Sequence, residues 1–220
     1  MSIIKVDTIK DESGAKTLVE QSGSNFAWGA GLPSGSIVQV QFHQFGGLGD
    51  DEAGDMSSLS TNTNYVLQTS GNTSGGAQTG VVDTTITPRI TGSKMWIQSQ
   101  WFGELNPDAS QNMIFFYWRS VGSTHTKLHS GYDNSSGSPD EGLKGIMSPG
   151  RSYWESHVGS TPEHCKMQYF DTHGVSAGTA ITYKLGFTIY SSTTQVFTNR
   201  CQDNAAEVGV TNLCVTELAP

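Results

Sequence analysis

The sequence predicts an all-β protein, an antiparallel β-sandwich of jelly-roll-like build with an extended N-terminal arm. Three observations point there. In Gly178–Tyr190 (GTAITYKLGFTIY), Ile181, Tyr183, Leu185, Phe187 and Ile189 alternate with Thr182, Lys184, Gly186, Thr188 and Tyr190. Side chains at every second position share one face of a strand, whereas a helix would scatter them around its axis, so this stretch is expected to be a long, half-buried strand central to an antiparallel sheet. Similar short alternating runs recur along the chain, roughly nine or ten in all, with no helical period. Twenty-six glycines, with many Ser, Thr and Asn, suit a fold of short strands joined by turns. At 220 residues the chain is long enough for one sandwich plus an appendage.

The N-terminal segment, residues 1–33, differs from the rest of the chain. Ile4 and Val6 alternate with Lys5 and Asp7, DESGAK reads as a turn, and QSGSNFAWGAGLPSG is rich in small residues. So little apolar surface cannot offset the entropy of ordering the chain, and the segment is expected to be an arm. The sandwich is then residues 34–220. Phe26 and Trp28 favour docking, either on another chain or as a plug on the same one, because solvated linkers seldom carry large aromatics.

After the turn at Pro33–Ser36, the stretch Ile37–Phe42 reads as a strand, with Val38, Val40 and Phe42 on one side and Gln39 and Gln41 on the other. Gly46–Ser60 holds Asp50, Asp51, Glu52 and Asp55 but lacks the ligand spacing of a calcium loop, so a solvated acidic loop is expected. Asn64–Gln68 and Val81–Thr87 are short strands, the second stopped by Pro88. In Ser93–Phe102, Met95, Ile97 and Trp101 oppose Trp96, Gln98, Gln100 and Phe102. Asn112–Val121 is apolar on both sides: Ile114, Phe116 and Trp118 form one row, and Met113, Phe115, Tyr117 and Arg119 the other. Such a strand needs two partners. One is the opposing sheet. The other is expected to be a neighbouring subunit, with Met113, Phe115 and Tyr117 at the interface, since an exposed row of that kind would be a large apolar patch.

Lys127–Pro162 is the longest irregular region. Tyr132, Asn134, Tyr153 and Trp154 stand there as candidate sugar contacts: rings stack on a pyranose face and a short amide bonds hydroxyls, on long loops where binding usually sits. An ordinary ordered loop has the same composition. Cys165–Phe170 reads as a strand, and Gln195–Asn199 as the hairpin partner of Gly178–Tyr190 across Ser191–Thr194. Asn212–Leu218 is the last strand.

Composition excludes several classes. The net charge is −8, from 12 basic and 20 acidic residues, with no cation cluster for a nucleic acid. No run approaches the roughly 18 apolar residues of a membrane span, and the N-terminus lacks the apolar core of a secretory signal. Three cysteines, Cys165, Cys201 and Cys214, are expected as free thiols in a reducing cytoplasm, with a Cys201–Cys214 bridge as the alternative. His157, His164, Cys165 and His173 lie close in sequence, but His164 and Cys165 would point apart on a strand, and no zinc spacing is present. No metal or cofactor is expected. There is no G-x-S-x-G, and Glu104, Asp108, Asp140, Glu155 and Asp171 offer no evident pair, so no enzyme is expected.

Three places carry a family likeness: MSIIKVDTIKDESGAKTL with GLPSGSIVQV, then VVDTTITPRITGSKMWI, then YFDTHGVSAGTAITYKLGFTIY with VFTNR and the terminal VTELAP. In this order they resemble the tail-fibre-like virion proteins of marine bacteriophages, including phages of cyanobacteria. The likeness spans nearly the whole chain, while the loops of Asn106–Glu163 are particular to it. It implies a homotrimeric virion structural protein made in the host cytoplasm. Its arm, with Phe26 and Trp28 as anchoring residues, would join other virion proteins, and its outer loops would meet host-surface glycan. A capsid or vertex decoration without a receptor role, and a free lectin-like module, are the alternatives.

Overall fold

The structure, a computed structural model, describes residues 8–10, 17–22, 25–28, 32–46, 55–68, 70–106, 113–129, 145–151, 162–189, 195–202 and 204–220. Two sheets pack face to face, and the described residues contain no helix, so the expected all-β sandwich is what forms. The first sheet has five strands. Ile181–Ile189 is its centre, flanked on one side by Met113–Val121 and then Thr124–Leu128, and on the other by Asn64–Val66 and Thr84–Ile86. The second sheet has eight and is built on the long strand Lys94–Asn106. Glu163–Asp171 pairs along one side of that strand, and Thr211–Leu218 and Gln195–Thr198 along the other. Ile37–Phe45 closes the sheet beyond Thr211–Leu218. Among the described residues, pairing is antiparallel except between Asp55–Met56 and Ser70–Gly71.

The core lies between the sheets. Ile181, Tyr183, Leu185, Phe187 and Ile189 are buried, and they belong to one cluster with Met95, Ile97, Trp101, Leu213 and Val215 of the second sheet. Phe115 bridges the layers: its ring centroid is 5.1 Å from that of Trp101 and 6.2 Å from that of Phe187. Each large apolar side chain taken out of water contributes about 1.5–3 kcal/mol.

The structure corrects two expectations. First, Met113, Phe115 and Tyr117 are all 0% exposed within the single chain and belong to this core. They stand in register with Ile189, Phe187 and Leu185, so they share the inward face of the central strand and leave nothing for a subunit to contact. Both rows of the strand are apolar, and alternation alone does not say which turns inward. Second, the central strand is covered on both sides, because Lys184, Gly186 and Thr188 are buried too. Their face is sealed by the chain itself. Val66, Phe116 and Trp118 form a small outer cluster. Gly76 lies over Trp118 so closely that a Cβ there would come within 2.8 Å of the indole, and a Cβ on Gly186 would come within 2.7 Å of Phe116. Lys184 Nζ donates to the carbonyls of Gly76 (3.1 Å) and Gln78, and Asp83 accepts the Gly80 N–H (2.9 Å), pinning the covering segment. The Lys127 ammonium sits 4.3 Å above the Phe116 ring.

Two further differences concern connectivity. Gln195–Thr198 does not form a hairpin with the central strand; it pairs with Lys94–Asn106 and Asp55–Met56, so the chain crosses to the other sheet. In the N-terminal segment, Thr8–Lys10, Thr17–Ser22 and Asn25–Trp28 form their own three-stranded antiparallel sheet, with Phe26 and Trp28 in register with Gln21 and Val19. Leu32 packs beside Val38, Ile90 and Ala219, and the Gly35 N–H donates to the Ala219 carbonyl (3.0 Å).

Candidate functional site

The outward face of the eight-stranded sheet is where polar and aromatic side chains gather. Three rows cross its four longest strands in register: Val40–Thr216–Trp96–Phe170, then Phe42–Cys214–Gln98–Gln168, then Gln44–Asn212–Gln100–Lys166. Phe42 and Phe170 are each 58% exposed and Val40 is 49% exposed. Trp96 and Phe170 stack with centroids 5.8 Å apart and planes 6° from parallel. Beside them lies an open cavity of about 570 Å³, within the size range of small-molecule sites. Gln98, Gln100, Gln168 and Asn212 line it with Lys166 and Cys214, and Ile146 and Met147 also line it.

Local sequence explains this face. The period-two pattern of Lys94–Asn106 places Met95, Ile97 and Trp101 inward, which forces Trp96, Gln98 and Gln100 outward. Each amide both donates and accepts hydrogen bonds, as does each hydroxyl of a saccharide. The flat Trp96–Phe170 pair offers the apolar surface against which a sugar ring can lie. The arrangement therefore suits reversible binding of a polyhydroxylated ligand.

None of the sequence-predicted site residues that the structure describes lies on this face. Tyr132, Asn134, Tyr153 and Trp154 lie outside the described residues. Phe26 and Trp28 are on the N-terminal sheet, and Met113, Phe115 and Tyr117 are core. The signal that could have found the groove was the run Trp96, Gln98, Gln100 and Phe102, an outward face with aromatics and amides but no charge. Gln168 and Asn212 come to it only through strand register.

The buried carboxylates act as struts. Asp171 accepts from Arg119 (2.7 Å) and from the Tyr183 hydroxyl (2.7 Å), tying one sheet to the other. Burial and the Asp171 charge push the Tyr183 phenol well above its ordinary range. Glu217, 0% exposed, accepts the backbone N–H groups of Arg89 (2.9 Å) and Ile90 (3.0 Å) and the Gln39 amide (2.6 Å). Glu163 accepts the Leu105 N–H (2.8 Å) and Glu104 the Gln202 N–H. Burial pushes the Cys165 thiol up to about 12, which disfavours the nucleophilic thiolate. His173 is held below its ordinary value, chiefly by burial; its Nδ1 accepts the Val175 N–H (2.9 Å). All three cysteines are free, so the Cys201–Cys214 alternative is not formed. Among the described residues no group of three His, Cys, Asp or Glu is placed to hold a metal ion. No protein-family model matches the chain, and no curated protein is significantly similar to it in sequence.

Proposed function

We propose that this chain is a non-catalytic structural protein of a phage particle, a fibre or knob component, that adheres to host-surface glycan. The observation that carries the adhesive role is the amide-lined cavity beside the stacked Trp96–Phe170 pair, on a sheet face that leaves Phe42 and Phe170 exposed. The particle role is supported by the ordered likeness of three sequence segments to phage tail-fibre-like proteins. The N-terminal segment with Phe26 and Trp28 attaches to other virion proteins, and assembly takes place in the host cytoplasm. Many copies on one particle give avidity from weak single contacts.

Three copies associate, on this reading, through the end strand Ile37–Phe45. There Ile37, Val40 and Phe42 are 61%, 49% and 58% exposed, an unusual apolar load for the last strand of a sheet. The same exposure favours a second reading, in which the protein decorates a capsid or vertex and the apolar strand grips the shell.

The test is binding of the purified chain to immobilised host-surface polysaccharide. Trp96→Ala together with Gln98→Ala is expected to weaken binding at least tenfold while the protein stays folded. Unchanged binding removes this face from the adhesive role. Immunogold labelling of intact particles separates fibre from capsid placement. A truncation beginning at Leu32, which keeps the Leu32–Val38 contact, should fold but fail to join the particle.

A further inference from the structure

The open face has a charge pattern unlike that of the chain as a whole. The chain carries 20 acidic residues against 12 basic ones. Yet on the outward positions of the four long strands, from Val40 to Gln44, Asn212 to Leu218, Lys94 to Phe102 and His164 to Phe170, there is no carboxylate. The basic side chains there are Lys94, Lys166 and His164, all exposed, and the one other titratable group is the half-buried Cys214 thiol. Lys166 borders the cavity between Gln100 and Gln168, and Lys94 lies two residues before Trp96. Lys166 pairs across to Gln100, six residues along the strand from Lys94, so the two ammonium-bearing positions are separated by roughly 20 Å at the usual rise of a strand. They bracket both the aromatic pair and the amides.

We propose that this face selects an acidic saccharide, one bearing a carboxylate or sulfate on a repeating unit. The proposal rests on the adhesive reading of the same face and names its ligand class. Lys166 meets the anionic group beside the cavity, Gln98, Gln100, Gln168 and Asn212 meet neighbouring hydroxyls, and Trp96 with Phe170 carries a sugar ring. Lys94 meets a second anionic group further along an extended chain. The absence of carboxylates from these described outward positions matters as much as the lysines. A carboxylate at one of these positions, within a few ångströms of the ligand's anion, would oppose it directly.

The experiment measures binding of the full chain by biolayer interferometry to four polymers at about 0.1 M salt. These are polygalacturonate, its carboxyl-reduced neutral form, a sulfated galactan and its desulfated form. At least one acidic polymer is expected to bind several-fold more tightly than its neutral counterpart. Which pair discriminates tells carboxylate from sulfate. Lys166→Gln should shrink that preference by about threefold, the scale of one exposed charge contact, and Lys94→Gln by less. Both positions are exposed, so thermal unfolding of each variant should match wild type. Equal binding of acidic and neutral polymers overturns the selectivity while leaving glycan adhesion standing. Failure to bind all four overturns both. A preference that survives in the double lysine variant overturns the assignment of these two residues.

Discussion

The two sheets of this sandwich treat their outer faces in opposite ways. On the five-stranded sheet the outer row of Val66, Phe116 and Trp118 is roofed by the chain's own 74–83 segment, pinned by the Lys184 ammonium and by Asp83. On the eight-stranded sheet, the outer row of Val40, Trp96 and Phe170 carries exposed aromatic and aliphatic groups beside an open cavity. Both faces hold apolar side chains, so composition does not separate them. What differs is whether a nearby segment carries the glycines and polar pins that let backbone lie flat on the rings. Covering an apolar face stabilises the fold, and leaving one open keeps it available for a partner.

Substitutions should break this contrast in graded fashion. The largest loss is expected on the sealed side. Trp118→Ala removes a buried ring whose indole N–H donates to the Tyr65 carbonyl (3.2 Å), and should cost about 3–5 kcal/mol in urea unfolding. A loss below about 1 kcal/mol would mean that the roof is not a packed layer. Next, Lys184→Met strips the pin and leaves the carbonyls of Gly76 and Gln78 short of a donor, for about 1–3 kcal/mol. Amide exchange in the 74–83 segment should rise with it.

Acidification tests the interior between the faces. Burial is the main cause holding His173 below its ordinary value; Arg119 adds to it, while Asp171, Glu217 and the Ser93 backbone oppose it. Below about pH 6.5 the unfolded chain therefore takes up a proton that the native chain resists, so stability is present above that value and is lost as pH falls. The melting temperature should drop between about pH 7 and pH 5 in wild type, and drop less in His173→Asn. An equal drop in both would assign the acid sensitivity to another group.

The smallest effects belong to the open face. Phe42→Ser should change stability by no more than about 0.5 kcal/mol, yet reduce the apparent molecular mass by light scattering if copies meet at that strand. Among the three thiols, Cys214 is the most accessible and lines the cavity, whereas Cys165 and Cys201 are buried. Maleimide should therefore modify Cys214 alone in the native protein, and the modified protein should lose saccharide binding without losing its fold.

Much of the fold is legible in the sequence because a strand's inside and outside are written in neighbouring residues. The spacing of Ile181, Tyr183, Leu185, Phe187 and Ile189 puts them on one face, and they are buried together. The same reasoning fails for Met113, Phe115 and Tyr117, since both sides of that strand are apolar and only its pairing with Ile181–Ile189 decides which turns inward. It fails again at Gln195–Thr198, where a short connection suggests a hairpin and the chain instead joins the other sheet. The candidate site is the least legible part. Its polar groups come from three strands that are far apart in sequence, so neither motif nor spacing could gather Gln98, Gln168 and Asn212.

The sequence by itself determined that this is a sheet protein and which residues alternate along each strand. Those properties follow from the two-residue period of an extended backbone and from composition, both local. Only the tertiary structure decided which apolar rows meet, which outer face is roofed by its own chain, and which amides, lysines and rings share one surface. These depend on hydrogen-bond register between distant strands, which neighbouring residues do not encode.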